Sequence, residues 1–154
     1  MTVYLRRVCI VISLIIILVS SYIVQICSVS GDSMYPTLKN GDMVVIDKTR
    51  NEYERLDIVV VKSSSTLAIK RIIGLPGEKI KIENGQILIN GQIIEDAVNC
   101  PTAPGIAVNT ITLGESEYFL LGDNRENSKD SRSKDFGIKK EKDIIGKVIY
   151  PLCD

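Results

Sequence analysis

A run of 19 residues without a charged side chain, Val8 to Ile26, opens this 154-residue chain. As a helix rising about 1.5 Å per residue it would extend roughly 29 Å, close to the hydrocarbon thickness of a bilayer. The run is apolar on every side, not along one stripe, which argues against a surface helix of a soluble domain. Arg6 and Arg7 precede it and no acid does, so the N-terminus is expected in the cytoplasm and the remainder outside. The rival reading is a cleavable leader, because Ser28-Val29-Ser30 has a small-x-small form. The run exceeds the usual leader core of about 7–15 residues, so the chain reads as anchored. A cytoplasmic stub covers 1–7, a transmembrane anchor 8–29 and an extracytoplasmic domain 30–154.

Charge and residue usage then remove whole classes of function. Arg6 and Arg7 are the only charges before residue 30, so the rest of the chain holds 17 basic and 19 acidic side chains. Such a balance lacks the clustered basic footprint of a nucleic-acid partner. Histidine is absent, so no Ser-His-Asp triad, Cys-His dyad or HExxH zinc site can be built. The four cysteines, Cys9, Cys27, Cys100 and Cys153, show no metal-ligand spacing. They read as free thiols, with a Cys100–Cys153 bridge as the alternative. No metal and no cofactor is expected.

From Asp42 onward the pattern is that of short strands. Met43–Asp47, Ile58–Lys62 and Leu67–Ile73 are β-branched runs, and Lys79–Glu83 alternates as K-I-K-I-E. Asn84-Gly85 offers a two-residue hairpin turn, Gln86–Ile89 runs back, and Asn90-Gly91 turns again into Gln92–Ile94. Residues 99–117 read as loops with one short strand over Ile106–Ile111. Tyr118–Leu121 is a buried strand that runs into a polar loop, Gly122–Lys142, and residues 143–150 form the last strand. The expected class is mainly β, with coiled antiparallel sheets in a barrel-like or sandwich arrangement behind one N-terminal transmembrane helix.

The chemistry centres on Gly31-Asp32-Ser33-Met34-Tyr35-Pro36-Thr37-Leu38, a Gly- and Pro-punctuated loop just after the apolar run. Ser33 there is either an ordinary turn residue or a nucleophile on a forced turn. As a nucleophile it needs a base other than histidine. A lysine serves if burial lowers its pKa from about 10.4 towards 7–8. Lys70 has the most suitable setting: in a strand it shares a face with Ala68 and Ile72, while Arg71 points the other way towards solvent or a carboxylate. An exposed edge-strand lysine is the plainer alternative.

Four segments in order resemble the bacterial type I signal peptidases, Ser-Lys serine peptidases that remove signal sequences from exported proteins. They are Gly31–Leu38, Arg55-Leu56-Asp57-Ile58-Val59-Val60, Lys70-Arg71-Ile72-Ile73-Gly74-Leu75-Pro76-Gly77-Glu78, and residues 122–132 (G-D-N-R-E-N-S-K-D-S-R). The resemblance implies Ser33 as nucleophile and neutral Lys70 as general base, with Ser128 orienting the lysine and Asp130 and Arg132 paired to shape the site. It implies signal peptides of exported preproteins and a lipid bilayer as partners, and cleavage after small-x-small sites. Met34, Leu38, Ala68 and Ile69 neighbour the dyad and are expected to line the substrate pockets, with an extended peptide added along Leu67–Lys70. A catalytically inactive, peptide-binding relative is the alternative. Two features depart from the pattern. No glycine precedes Asp57, and Ser133-Lys134-Asp135 intervenes before Phe136-Gly137. In addition Gly31 carries no hydroxyl where some relatives have one.

Overall fold

The computed structural model describes residues 4, 6–13, 23–50, 52–63, 66–95, 98 and 103–151. Residues 6–13 are helical. Among the described residues no helix is long and apolar enough to cross a membrane. The middle of the apolar run, residues 14–22, lies outside the described residues, as do Cys100 and Cys153 of the alternative bridge.

Among the described residues, eleven strands make up two antiparallel sheets. In chain order they are β1 (Val24–Ser28), β2 (Met43–Asp47), β3 (Ile58–Ser63), β4 (Thr66–Gly74), β5 (Lys79–Glu83) and β6 (Gln86–Ile89), followed by β7 (Gln92–Ile93), β8 (Ile111–Thr112), β9 (Glu117–Leu121), β10 (Lys139–Lys140) and β11 (Ile144–Pro151). The large sheet runs β1-β2-β11-β3-β4-β9-β10 and the small one β7-β6-β5-β8. The large sheet ends in two edge strands, so the barrel-like expectation resolves to two open sheets.

The strand pattern follows from side-chain alternation. On β9 Tyr118 and Leu120 pack into one cluster with Val59, Ile72 and Phe136, whereas Phe119 and Leu121 pack into another with Ile73, Ile80 and Leu113. Successive residues of a strand face opposite ways. A strand with apolar neighbours on both faces therefore reads as one unbroken hydrophobic run. The second cluster joins the small sheet to the large one. In the hairpin, Asn84 and Gly85 both have positive φ (50° and 77°), and so do Asn90 and Gly91 (52° and 82°), as two-residue turns of this kind require.

Two expectations need correction. Val24–Ser28, within the anchor expected over 8–29, form β1, which pairs along its length with β2 from Val24↔Asp47 to Ser28↔Met43. β-branched apolar residues suit lipid and sheet equally, and hydropathy does not distinguish them. Ile106–Ile111 is not one strand. Gly105–Val108 is a 3-10 turn and only Ile111–Thr112 is strand. Pro104 already holds α-type angles (φ −72°, ψ −33°), and the Ile106 N–H donates to the Arg132 carbonyl at 2.9 Å.

Candidate active site

The loop after β1 is anchored from below by apolar side chains. Met34 and Leu38 are each only 1 % exposed and pack with Val29 and Val44. The Leu38 N–H donates to the Met34 carbonyl at 2.9 Å. Gly31 has φ +86°, a conformation that costs an L side chain about 1–2 kcal/mol, and its N–H donates to Asn40 Oδ1 at 2.9 Å. The half-buried Ser33 is left on top of this wedge.

Lys70 comes from β4, across the loop. Its Nζ donates to Ser33 Oγ at 2.7 Å and to the Ile69 carbonyl at 2.9 Å. The side chain is 3 % exposed. Burial lowers its pKa from 10.5 to about 8, and the carboxylates of Asp130 and Asp123 partly oppose that shift. At pH 7 about one molecule in ten then carries a neutral amine. An exposed edge lysine is ruled out.

The strand around Lys70 is paired unequally. β3 pairs with β4 from Thr66 to Arg71. On the other side β9 pairs only from Arg71 to Gly74. Among the described residues, the β9-facing edge of Thr66–Ile69 is open, and the open stretch ends at Lys70.

The closing loop completes the arrangement. Arg71 leaves the opposite face of β4 and meets the carboxylate expected for it: Nε donates to Asp123 Oδ1 at 2.8 Å and Nη2 to Oδ2 at 2.6 Å. Asp130 and Arg132 form a second buried, two-point pair at 2.8 Å each. The Gly122 N–H donates to Asp130 Oδ2 at 3.0 Å. Gly122 must be small, because a Cβ there would collide with Ser128 Oγ and the Ser33 carbonyl oxygen.

Not every expected residue lies where the sequence suggested. Ser128 Oγ is buried but has no hydrogen-bond partner among the described residues. It rests over Gly122, while the Lys70 amine is turned towards Ser33 and Ile69. Met34 and Leu38 are core residues beneath the loop. Ala68 and Ile69 are half-buried neighbours of Lys70 along β4, Ala68 packing against the cluster of Val59 and Ile72 and Ile69 against that of Met34 and Leu38. Sequence reasoning did not single out Asn124, whose contacts to the Ser33 loop are described below, or Ser131. The fully buried Ser131 exchanges hydrogen bonds with the Leu120 backbone at 3.0 Å.

Both departures have a structural account. Leu56, where the pattern has glycine, adopts φ +72°, so the backbone shape is kept at the strain a bulky residue incurs there. Ser133–Gly137 forms a turn closed by the Gly137 N–H on the Ser133 carbonyl at 2.8 Å. That turn returns Phe136, 4 % exposed, to the core.

The sequence matches the family described as signal peptidase, peptidase S26, over residues 2–153. It is 36 % identical over 152 residues to signal peptidase I S of Bacillus subtilis (strain 168), covering 88 % of this chain and 82 % of that protein. It is 31 % identical over 157 residues to signal peptidase IB of Staphylococcus aureus (strain N315), covering 88 % and 81 %. The crystal structure of a signal peptidase I from Enterococcus faecalis V583 superposes with a TM-score of 0.52 at 27 % identity, over 63 % of this chain and 97 % of that one.

Proposed function

Because this chain belongs to the signal peptidase family, peptidase S26, and is therefore a serine endopeptidase, we propose that it removes signal peptides with Ser33 as nucleophile and neutral Lys70 as base. The observation that carries the assignment is the 2.7 Å contact between Lys70 Nζ and Ser33 Oγ at a buried amine. Lys70 takes the Ser33 proton as Oγ bonds to the scissile carbonyl carbon. The oxyanion is stabilised by the Ser33 N–H. As the C–N bond breaks, Lys70 passes that proton to the leaving amine, and an acyl-enzyme ester remains. Water then attacks the ester. Its proton goes to Lys70 and on to Ser33 Oγ, releasing the new carboxylate.

The substrate binds extended along the open edge of Thr66–Ile69, where main-chain hydrogen bonds would deliver its carbonyl to Ser33. Ala68 beside the dyad favours small substrate side chains. Ala68→Phe is expected to narrow the accepted residues towards glycine, read from product sequencing of a preprotein panel. An unchanged preference would remove Ala68 from the pocket. The apolar run holds the enzyme at the bilayer, with Arg6 and Arg7 on the cytoplasmic side. With β1 starting at Val24, the apolar stretch ahead of the β domain is Val8–Ile23, roughly 24 Å as a helix. Arginines at its start can snorkel to make up the difference.

The test is cleavage of a preprotein with a small-x-small site by the full chain in detergent, beside Ser33→Ala and Lys70→Ala. The wild type alone should yield mature product, and its kcat/KM should fall about tenfold per pH unit below about 8. Cleavage by Ser33→Ala would overturn the nucleophile. No cleavage by the wild type over several substrates would leave a peptide-binding relative.

A further inference from the structure

A planar trans peptide unit has its C=O and N–H pointing in opposite directions, so orienting one orients the other. The unit that carries the Ser33 N–H also carries the Asp32 carbonyl, and the only cis bond among the described residues is Tyr35–Pro36. Asn124 Nδ2 donates to that Asp32 carbonyl at 3.1 Å. The Asn124 backbone N–H donates to the Ser33 carbonyl at 3.0 Å. One residue of the closing loop thus holds the peptide units on both sides of the Ser33 Cα.

The Asn124 side chain is itself fixed. Its Oδ1 accepts the Asn127 N–H at 3.2 Å, which leaves the amide donor facing Asp32. The Tyr35 N–H also reaches the Asp32 carbonyl, at 3.2 Å, from within the same loop. Asn124 ties that carbonyl to the rest of the fold. Among the described residues, no acceptor meets the Ser33 N–H. Gly31 offers no side-chain donor beside it. When few donors serve a developing oxyanion, the direction of each matters more, because stabilisation depends on dipoles already aimed before charge develops.

We infer that Asn124 is a positioning residue, holding the Asp32–Ser33 peptide unit so that the Ser33 N–H faces the developing oxyanion. The inference rests on the peptidase reading. Asn124 makes no hydrogen bond to Lys70, whose Nζ contacts are Ser33 and Ile69, so its loss should leave the base untouched.

The experiment compares Asn124→Asp and Asn124→Ala with the wild type and Ser33→Ala, all as full chains in detergent. Asn124→Asp keeps the shape, the backbone N–H and an acceptor for Asn127, and replaces the donor to Asp32 with a carboxylate; Asn124→Ala removes the donor without adding a charge. Both variants should lower kcat about 10–100-fold with KM within about twofold. In Asn124→Ala, which adds no charge, the acid limb of the pH profile should stay where the wild type has it. Affinity for a peptide aldehyde, which forms a tetrahedral adduct on Ser33, should fall in step with kcat. Unchanged kcat in both variants would overturn the proposal. So would a displaced acid limb in Asn124→Ala, or a loss of kcat that tracks a loss of melting temperature. If the wild type has no Ser33-dependent cleavage, the peptidase reading fails first and this inference falls with it.

Discussion

Lys70→Met should lose about 10²–10⁴-fold of turnover and yet fold more stably than the wild type at neutral pH. Lys70 is 3 % exposed, and burial holds its folded pKa near 8 against 10.5 in the free side chain. Between those values the unfolded chain binds a proton that the folded chain does not, so stability rises with pH across that window. Below pH 8 both states are protonated, and the folded state bears the whole cost of a buried ammonium, roughly 3 kcal/mol. Methionine fills a similar space without a charge. Urea unfolding in one detergent should therefore favour the variant most below pH 8, with the gap closing towards pH 10.5. The lost contacts to Ser33 and Ile69 reduce the gap by a constant amount and do not change its slope. A gap independent of pH would mean that the amine is solvated in the folded state.

Asp123→Ala should be among the most damaging single changes to stability, at about 3–5 kcal/mol. It strands Arg71, which is 8 % exposed and otherwise held by two bonds to a carboxylate that is 2 % exposed. The remaining Arg71 contacts are the Leu56 carbonyl at 2.8 Å and a long one to Thr37 Oγ1 at 3.4 Å, neither of them charged. Replacing both partners at once, as Arg71→Met with Asp123→Leu, should cost much less than Asp123→Ala, because no buried charge is then left alone. Urea midpoints of the single and double variants decide this. A loss below about 1 kcal/mol in Asp123→Ala would mean that water reaches the pair.

What the sequence made legible was local. K-I-K-I-E announced β5, whose isoleucines are buried and whose lysines and glutamate are not fully so. Asn-Gly pairs announced the hairpin turns. Ser33 and Lys70 were legible only through the order of four segments, since neither local setting excluded a turn residue or an edge lysine. What stayed hidden depends on long-range placement. The Asn124 amide meets Asp32 from 92 positions away, and no spacing encodes that. Met34 and Leu38 lie beside Ser33 in sequence but turn into the core, because a compact loop must bury its apolar members somewhere. Val24–Ile26 looked like lipid-facing residues because hydropathy measures transfer from water and is silent about strand partners.

The distribution of the site along the chain has a consequence for biosynthesis. Ser33 is made first, whereas Gly122 and Asn124, which lie against its loop, are made about 90 residues later. A nascent molecule therefore exposes Ser33 well before its loop is held. The same chain carries Ser28-Val29-Ser30, a segment of the small-x-small form proposed for the substrate. Once folded, Val29 is 5 % exposed, its N–H donates to the Asp42 carbonyl at 2.7 Å, and its carbonyl accepts the Gly41 N–H at 2.9 Å. Folding that brings Asn124 onto the Ser33 loop therefore also ties the Val29 backbone into the domain, while Ser28 and Ser30 stay at the surface.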